Sequence, residues 1–211
     1  MHLEPSHDCP LCPRLAAFRE ANRALYPDFF NGPVPVWSGK QARLVIVGLA
    51  PGLKGANRTG RPFTGDYAGD LLYATLKKFG LATGEYRQRP DDGLTLGPVM
   101  IVNAVRCVPP QNKPTPAEIT TCRQFLVGAL QAERRANVYL ALGRIAHETL
   151  LRTLGARLAA HPFAHGAEHG LTGGQTIFDS YHCSRYNTNT GVLTTEMFED
   201  VVGRAAERAL T

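Results

Sequence analysis

No stretch of this chain approaches the ~18 consecutive apolar residues that cross a bilayer, and its opening MHLEPSHDCP lacks the apolar core of a secretion signal. A cytoplasmic protein with no membrane partner is the expectation. Cysteine is scarce: five in 211 residues, with no export signal, leave no disulfide framework. The spacings G-x-G-x-x-G and G-x4-G-K-[ST] are both missing, which argues against a small-molecule enzyme built around a phosphate loop. What is present is 44% hydrophobic sequence, enough for one core, so residues 1–211 are expected to form one domain. The net charge of +5 and pI of about 9.1 suit an anionic partner.

The chain is organised around Leu44–Leu72. Leu44, Val45, Ile46 and Val47 are continuously apolar, as in a parallel strand covered on both faces. The loop Gly48–Gly69 then holds six glycines and two prolines. Loops of that length at the carboxyl end of such a strand are usually functional. Further strands are expected at 99–105, 137–142 and 176–178. Helices are expected at 13–25, 67–80, from Thr115-Pro116-Ala117-Glu118 to Ala132, over IAHETLLRTLG, and at 194–210. Residues 26–40, 84–98 and 161–176 read as irregular connections, with Trp37 as a core anchor. The alternating order predicts an α/β fold of three layers, α-β-α, around a central, mostly parallel four-stranded sheet. The long loops then gather at the carboxyl ends of strands.

Cys9 and Cys12 form a C-x2-C pair, Cys107 follows the second strand, and Cys122 lies inside a predicted helix. Four thiolates are the ligand set of an iron–sulfur cluster or a structural zinc. The alternative is that Cys107 and Cys122 are small buried hydrophobes.

GLAPG (48–52), GANRTGRPFTGD (55–66) and SYHCSRYNTNTG (180–191) resemble the signature segments of the B-type, or fifth-family, uracil-DNA glycosylases. These are prokaryotic base-excision repair enzymes related to the iron–sulfur glycosylases of the fourth family. The resemblance spans nearly the whole chain and rests chiefly on the second and third segments. It implies a monomeric glycosylase acting in the cytoplasm at the nucleoid. Its substrate would be uracil-containing DNA, single- or double-stranded, and the reaction hydrolysis of the deoxyuridine N-glycosidic bond. It also implies a [4Fe–4S] cluster on Cys9, Cys12, Cys107 and Cys122, tying the N-terminal segment to the core, with Cys183 unligated.

Base removal requires a nucleotide rotated out of the duplex, a stacked and edge-bonded base, and stabilised charge. By resemblance Gly48, Ala50, Pro51 and Gly52 border the base, Phe63 stacks on it, and Asn103 pairs with its O4 and N3–H edge or takes part in catalysis. His182 would donate an N–H toward the negative charge that develops on O2. Asp66 would position water or oppose the cationic sugar, because Ala50 stands where many uracil glycosylases have Asp or Asn. Phe63 as a core residue, Asn103 as a turn cap and Asp66 as a helix N-cap are the competing readings. Asn57, Arg58, Thr59 and Arg61 are candidate phosphate contacts, and Ser184, Arg185, Tyr186 and Asn187 resemble the segment that enters the minor groove. The signatures contain no amine but Lys54, which has no partner to activate it as a lyase nucleophile. The apolar Ala50 suggests a range extending to hypoxanthine and other deaminated bases. A non-catalytic or covalent-capture uracil-DNA binder is the alternative, although that group carries a basic insertion which GANRTGRPF does not resemble.

Overall fold

Four apolar segments become strands whose five residues are all buried, and they lie side by side in parallel. The computed structural model describes residues 4–211; residues 1–3 of the opening decapeptide lie outside them. In chain order the elements are α1 (Pro13–Leu25), β1 (Trp37–Ser38), β2 (Leu44–Gly48), α2 (Ala56–Thr59), α3 (Tyr67–Lys78), β3 (Ala82–Thr83) and β4 (Thr95–Leu96). There follow β5 (Val99–Asn103), α4 (Pro116–Ala132), β6 (Val138–Leu142), α5 (Arg144–Thr153), β7 (Glu168–Gly170), β8 (Thr176–Ser180), α6 (Arg185–Asn189) and α7 (Thr195–Leu210).

The main sheet has six strands in the order β1-β5-β2-β6-β8-β7, not the expected four. The additions are antiparallel edge strands of two and three residues, too short to impose a period-2 pattern on the sequence. A separate β3–β4 pair lies at the excursion near 84–98. Alternation within each central strand sends Leu44, Ile46, Ile101, Leu140 and Phe178 to one face, against Leu72, Leu76, Phe198 and Val201 of α3 and α7. Val45, Val47, Met100, Val102, Tyr139 and Ile177 face the other way, against Leu126, Leu130, Ala146 and Leu150 of α4 and α5. Two apolar faces on one sheet give the three layers.

The N-terminus of α4 closes a capping box: Glu118 N donates to Thr115 Oγ1 at 3.2 Å, and Thr115 N to Glu118 Oε2 at 2.7 Å. Glu118 also receives Arg14 through Nε at 2.8 Å and Nη2 at 2.7 Å, which fastens α1 to α4. The buried stripe of α1 differs from the apolar one its spacing suggests. Leu15, Arg19 and Asn22 are buried while Leu25 is 71% exposed. The reason is that α1 faces the cysteine segment, where Arg19 Nη1 donates to the carbonyl of Cys9 at 3.2 Å. Among the described residues no helix is long and apolar enough to cross a membrane.

Candidate active site and cysteine cavity

The register of β2 against β5 sets Gly48 beside Asn103 at the carboxyl edge of the sheet. A Cβ on Gly48 would lie 2.5 Å from Asn103 Oδ1 and 2.6 Å from Phe63 Cζ, so only glycine admits both side chains there. Asn103 and Phe63 are buried. The Phe63 ring faces that of His182, centroids 5.8 Å apart and planes inclined by 26°. Phe63, Asn103 and His182, far apart in sequence, are thereby gathered at one rim.

Phe63 holds a left-handed backbone with φ of +49°, a conformation costing a bulky residue about 1–2 kcal/mol. Its surroundings over-determine it. Tyr86 OH donates to the Phe63 carbonyl at 3.2 Å, the buried Tyr73 OH donates to the carbonyl of Pro62, and Gly69 leaves room for the Phe63 carbonyl. Burial raises the phenol pKa of Tyr73 and pushes that of Tyr86 up to about 12, so both stay protonated donors.

Asp66 occupies the N-cap position of α3 without a side-chain cap hydrogen bond. Its Oδ1 is buried and has no protein partner, while Oδ2 lies so near Gly52 and Gly55 that a Cβ on Gly52 would sit 3.0 Å from it. Burial raises its pKa; the amides of Ala68 and Gly69 oppose this in part, Asp70 adds to it, and Arg58 opposes it weakly. An orphaned, desolvated carboxylate oxygen beside a glycine-lined opening suits a water or a developing cation. Burial also depresses His182, to about 4, so its imidazole is neutral at pH 7. Its ring has no hydrogen-bond partner among the described residues, and the Asn187 amide donates to its carbonyl at 2.8 Å. Cys183, fully buried, donates weakly to the Ala68 carbonyl at 3.5 Å and is pushed up to about 12 by burial and then by the charge of Asp66.

The expected phosphate contacts divide. Asn57 is buried and bonds Asn31 Oδ1 at 2.9 Å. Arg61 is buried too: it grips Asp92 with two bonds of 2.9 and 2.8 Å, bonds Thr64 Oγ1 at 2.8 Å and lies 4.7 Å over the Trp37 ring. Neither is presented to an outside strand, because both satisfy polar groups of their own loop. Thr59 Oγ1 bonds the Thr64 carbonyl at 2.9 Å, and the exposed Arg58 bonds the Lys54 carbonyl at 2.9 Å. Pro51 is buried, Gly52 half-buried, and Ala50 packs toward the cysteine side. Ser184 caps α6, accepting from Asn187 N; Arg185 is exposed 5.5 Å over the Tyr67 ring, and Tyr186 is 74% exposed. Asp92, Tyr73 and Tyr86 went unread in sequence, since nothing in RPDDG announces that its second aspartate turns inward.

Cys9, Cys12, Cys107 and Cys122 line one cavity with Leu15, Val105 and Phe125, and all are free thiols. Four thiols around one cavity are the ligand count of an iron–sulfur group. Burial pushes Cys107 up to about 11 and Cys122 to about 12 as lone thiols, yet Arg19 Nε and Arg106 Nη1 are buried there without hydrogen-bond partners. Arg106 N also donates to Cys122 Sγ at 3.3 Å. Glu20 and Glu4 pair with these same guanidinium groups, so what the cavity offers an anionic cluster is two buried N–H donors that lack a hydrogen bond of their own.

The model of the uracil DNA glycosylase superfamily matches residues 35–205. A type-5 uracil-DNA glycosylase of Thermus thermophilus is 47% identical over 206 residues, covering 95% of this chain and 94% of that protein. One from Pyrobaculum aerophilum is 41% identical over 206 residues, covering 96% and 89%. A type-4 uracil-DNA glycosylase of Archaeoglobus fulgidus is 40% identical over a shorter span of 114 residues, 54% of this chain and 49% of that protein.

Proposed function

The chain belongs to the uracil DNA glycosylase superfamily, and from that premise we propose a DNA-repair enzyme that hydrolyses the N-glycosidic bond of deoxyuridine in DNA. The observation that carries this reading is the convergence of Phe63 and Asn103 on Gly48, with His182 facing Phe63. A flipped uracil stacks on Phe63 and pairs its O4 and N3–H with the Asn103 amide. As C1′–N1 breaks, the electron pair leaves with the base and negative charge collects on O2. The neutral imidazole of His182 donates an N–H to that oxygen and keeps its proton. The Asp66 carboxylate opposes the positive charge on the sugar and orients the water that attacks C1′, which delivers its oxygen to the sugar and its proton to solvent or base.

Gly48, Pro51 and Gly52 form the wall beside the ring, and Ala50, which packs toward the cysteine side, puts no polar group there and so admits other deaminated bases. Arg58, Ser184, Arg185, Tyr186 and Asn187 meet the DNA strand, while Thr59, expected with them, spends its hydroxyl on its own loop. The mechanism is monofunctional, since among the described residues the signature loops carry no amine but the exposed Lys54. Cys9, Cys12, Cys107 and Cys122 would hold a [4Fe–4S] cluster, whose contribution is a cross-link of the N-terminal segment to the core of one domain. The enzyme works as a monomer on cytoplasmic DNA.

The test is an assay on matched single- and double-stranded oligonucleotides containing U, hypoxanthine or xanthine, resolved on denaturing gels after alkali. Release of uracil with turnover supports the reading. Unchanged deoxyuridine strands, or a one-to-one covalent adduct in place of turnover, would overturn it. Broad absorption near about 400 nm checks the cluster.

A further inference from the structure

At the opposite edge of the sheet from Asn103, three ligating side chains from three elements converge where neither the pocket nor the cysteine cavity uses them. Asp179 of β8 is fully buried, with Oδ1 2.8 Å from His147 Nδ1 of α5 and Oδ2 3.0 Å from His169 Nε2 of β7. The side chain of His147 is 2% exposed and that of His169 is 10% exposed. All three ligand atoms lie within 4.8 Å of one another.

The other nitrogen of His147 decides what can sit between them. His147 Nε2 is 2.8 Å from the carbonyl oxygen of His161, which only accepts, so Nε2 carries the hydrogen. In the neutral ring Nδ1 is then a lone pair pointing at a carboxylate oxygen 2.8 Å away. The two facing atoms share one cation: as a proton it makes the ring an imidazolium, which burial disfavours and the Asp179 carboxylate favours more strongly, and as a metal ion it replaces that proton with the ring and carboxylate drawing apart to about 3.3 Å. A ring that offers one nitrogen inward and ties its other N–H to a backbone carbonyl has the outer support of a metal-binding histidine. Two imidazoles and a carboxylate are a borderline-soft set that suits zinc. His161, whose ring lies 5.5 Å from that of His169, is the nearest further donor.

We propose that His147, His169 and Asp179 form a structural site for one divalent transition-metal ion of the zinc type, clamping α5 and β7 to β8 three residues before His182. It is independent of the iron–sulfur ligands and of the glycosylase reading.

The experiment uses holoprotein with its cluster intact, dialysed against EDTA and titrated with Zn2+ alone or Co2+ alone, beside Asp179→Asn and His169→Gln. The wild type is expected to take up one equivalent of zinc. Cobalt should give visible ligand-field bands without the sulfur charge transfer that cobalt on the cysteines would add. Each variant should bind zinc more than about 100-fold more weakly, beyond the upper end of what losing an outer partner alone costs. With zinc about 100-fold above its Kd, the wild-type Tm should rise by about 5–10 °C and the variants' should not move. If Asp179→Asn does not fold, the less buried His169→Gln carries the test. Wild-type protein that takes up no zinc, or a folded variant that binds it equally well, would overturn the proposal and leave a proton as the cation between His147 and Asp179.

Discussion

The loops 49–66 and 181–191 are composed alike, with asparagine, arginine and threonine in close succession, and they fold in opposite senses. In the first, Asn57, Thr59 and Arg61 turn inward and satisfy the loop's own polar groups. In the second, Arg185 and Tyr186 stand out in solvent. The difference follows from length and closure. A long loop packed against the core must find partners for its own backbone, and its polar side chains supply them. Each segment folds partly into a short helix, but α2 buries Ala56 and Asn57 whereas α6 buries none of its residues, which leaves its side chains to an outside partner. Polar composition in a glycine-rich loop therefore does not say whether a residue is scaffold or contact.

The sharpest division lies at the floor where the loops meet, with Asp66 from the first and His182 from the second. Replacing His182 with Ala should lower kcat about 10²–10³-fold, the usual loss for one donor to a developing oxyanion. Asp66→Asn should cost at least about 10²-fold with little change in Tm, because asparagine at an N-cap faces the Ala68 and Gly69 amides as well as aspartate does. Single-turnover rates and thermal melts on the same preparations check both. An active Asp66→Asn enzyme that melts much lower would return Asp66 to the scaffold.

Next in size is the inward arginine. Arg61→Ala leaves Asp92 buried and unpaired, a loss of about 3–5 kcal/mol, which at about 2–4 °C per kcal/mol lowers Tm by roughly 6–20 °C. Retention of the wild-type Tm together with weakened DNA affinity would place Arg61 among the contacts instead. The outward arginine should behave in the reverse way. Arg185→Ala should leave Tm within about 1 °C and reduce the slope of log affinity against log salt by about 1, one phosphate contact fewer. Fluorescence anisotropy on uracil-containing DNA over a salt series reads that slope.

The same contrast marks what could be read without coordinates. The four central strands and the five long helices announce themselves by apolar runs, by Pro13 and Pro116 at helix starts and by the Thr115–Glu118 box. The gathering of Phe63, Asn103 and His182 at one rim follows once parallel strands deliver their loops to one edge. Short edge strands carry too few residues to show a period. The inward turn of Asp92 is invisible in a polar run, because its cause is Arg61, thirty-one positions away. The apolar spacing of α1 misleads for a related reason: the helix buries Arg19 against the cysteine segment, and a charged residue in a buried stripe is legible only once its partner is known.

The change of rate with pH is the smallest effect expected, and the change of stability with pH separates the two floor residues by sign. His182 titrates near 4 when folded against an ordinary 6.5, so between those values the unfolded chain binds more protons. Its contribution to stability is complete above pH 6.5 and is lost as pH falls toward 4. Asp66, raised above its ordinary 3.8, works the other way: the folded state holds its proton longer, so acidification through that window favours folding and offsets part of the loss. In the rate, His182 does not change charge between about pH 6 and 8, so kcat/KM for uracil release should show no histidine inflection there, with an acid limb set by Asp66 at a pH above its ordinary value. An inflection near pH 6.5 that disappears in His182→Gln would mean that the imidazole titrates at its ordinary value in the free enzyme, and that the second loop leaves its histidine in water rather than enclosed against Phe63.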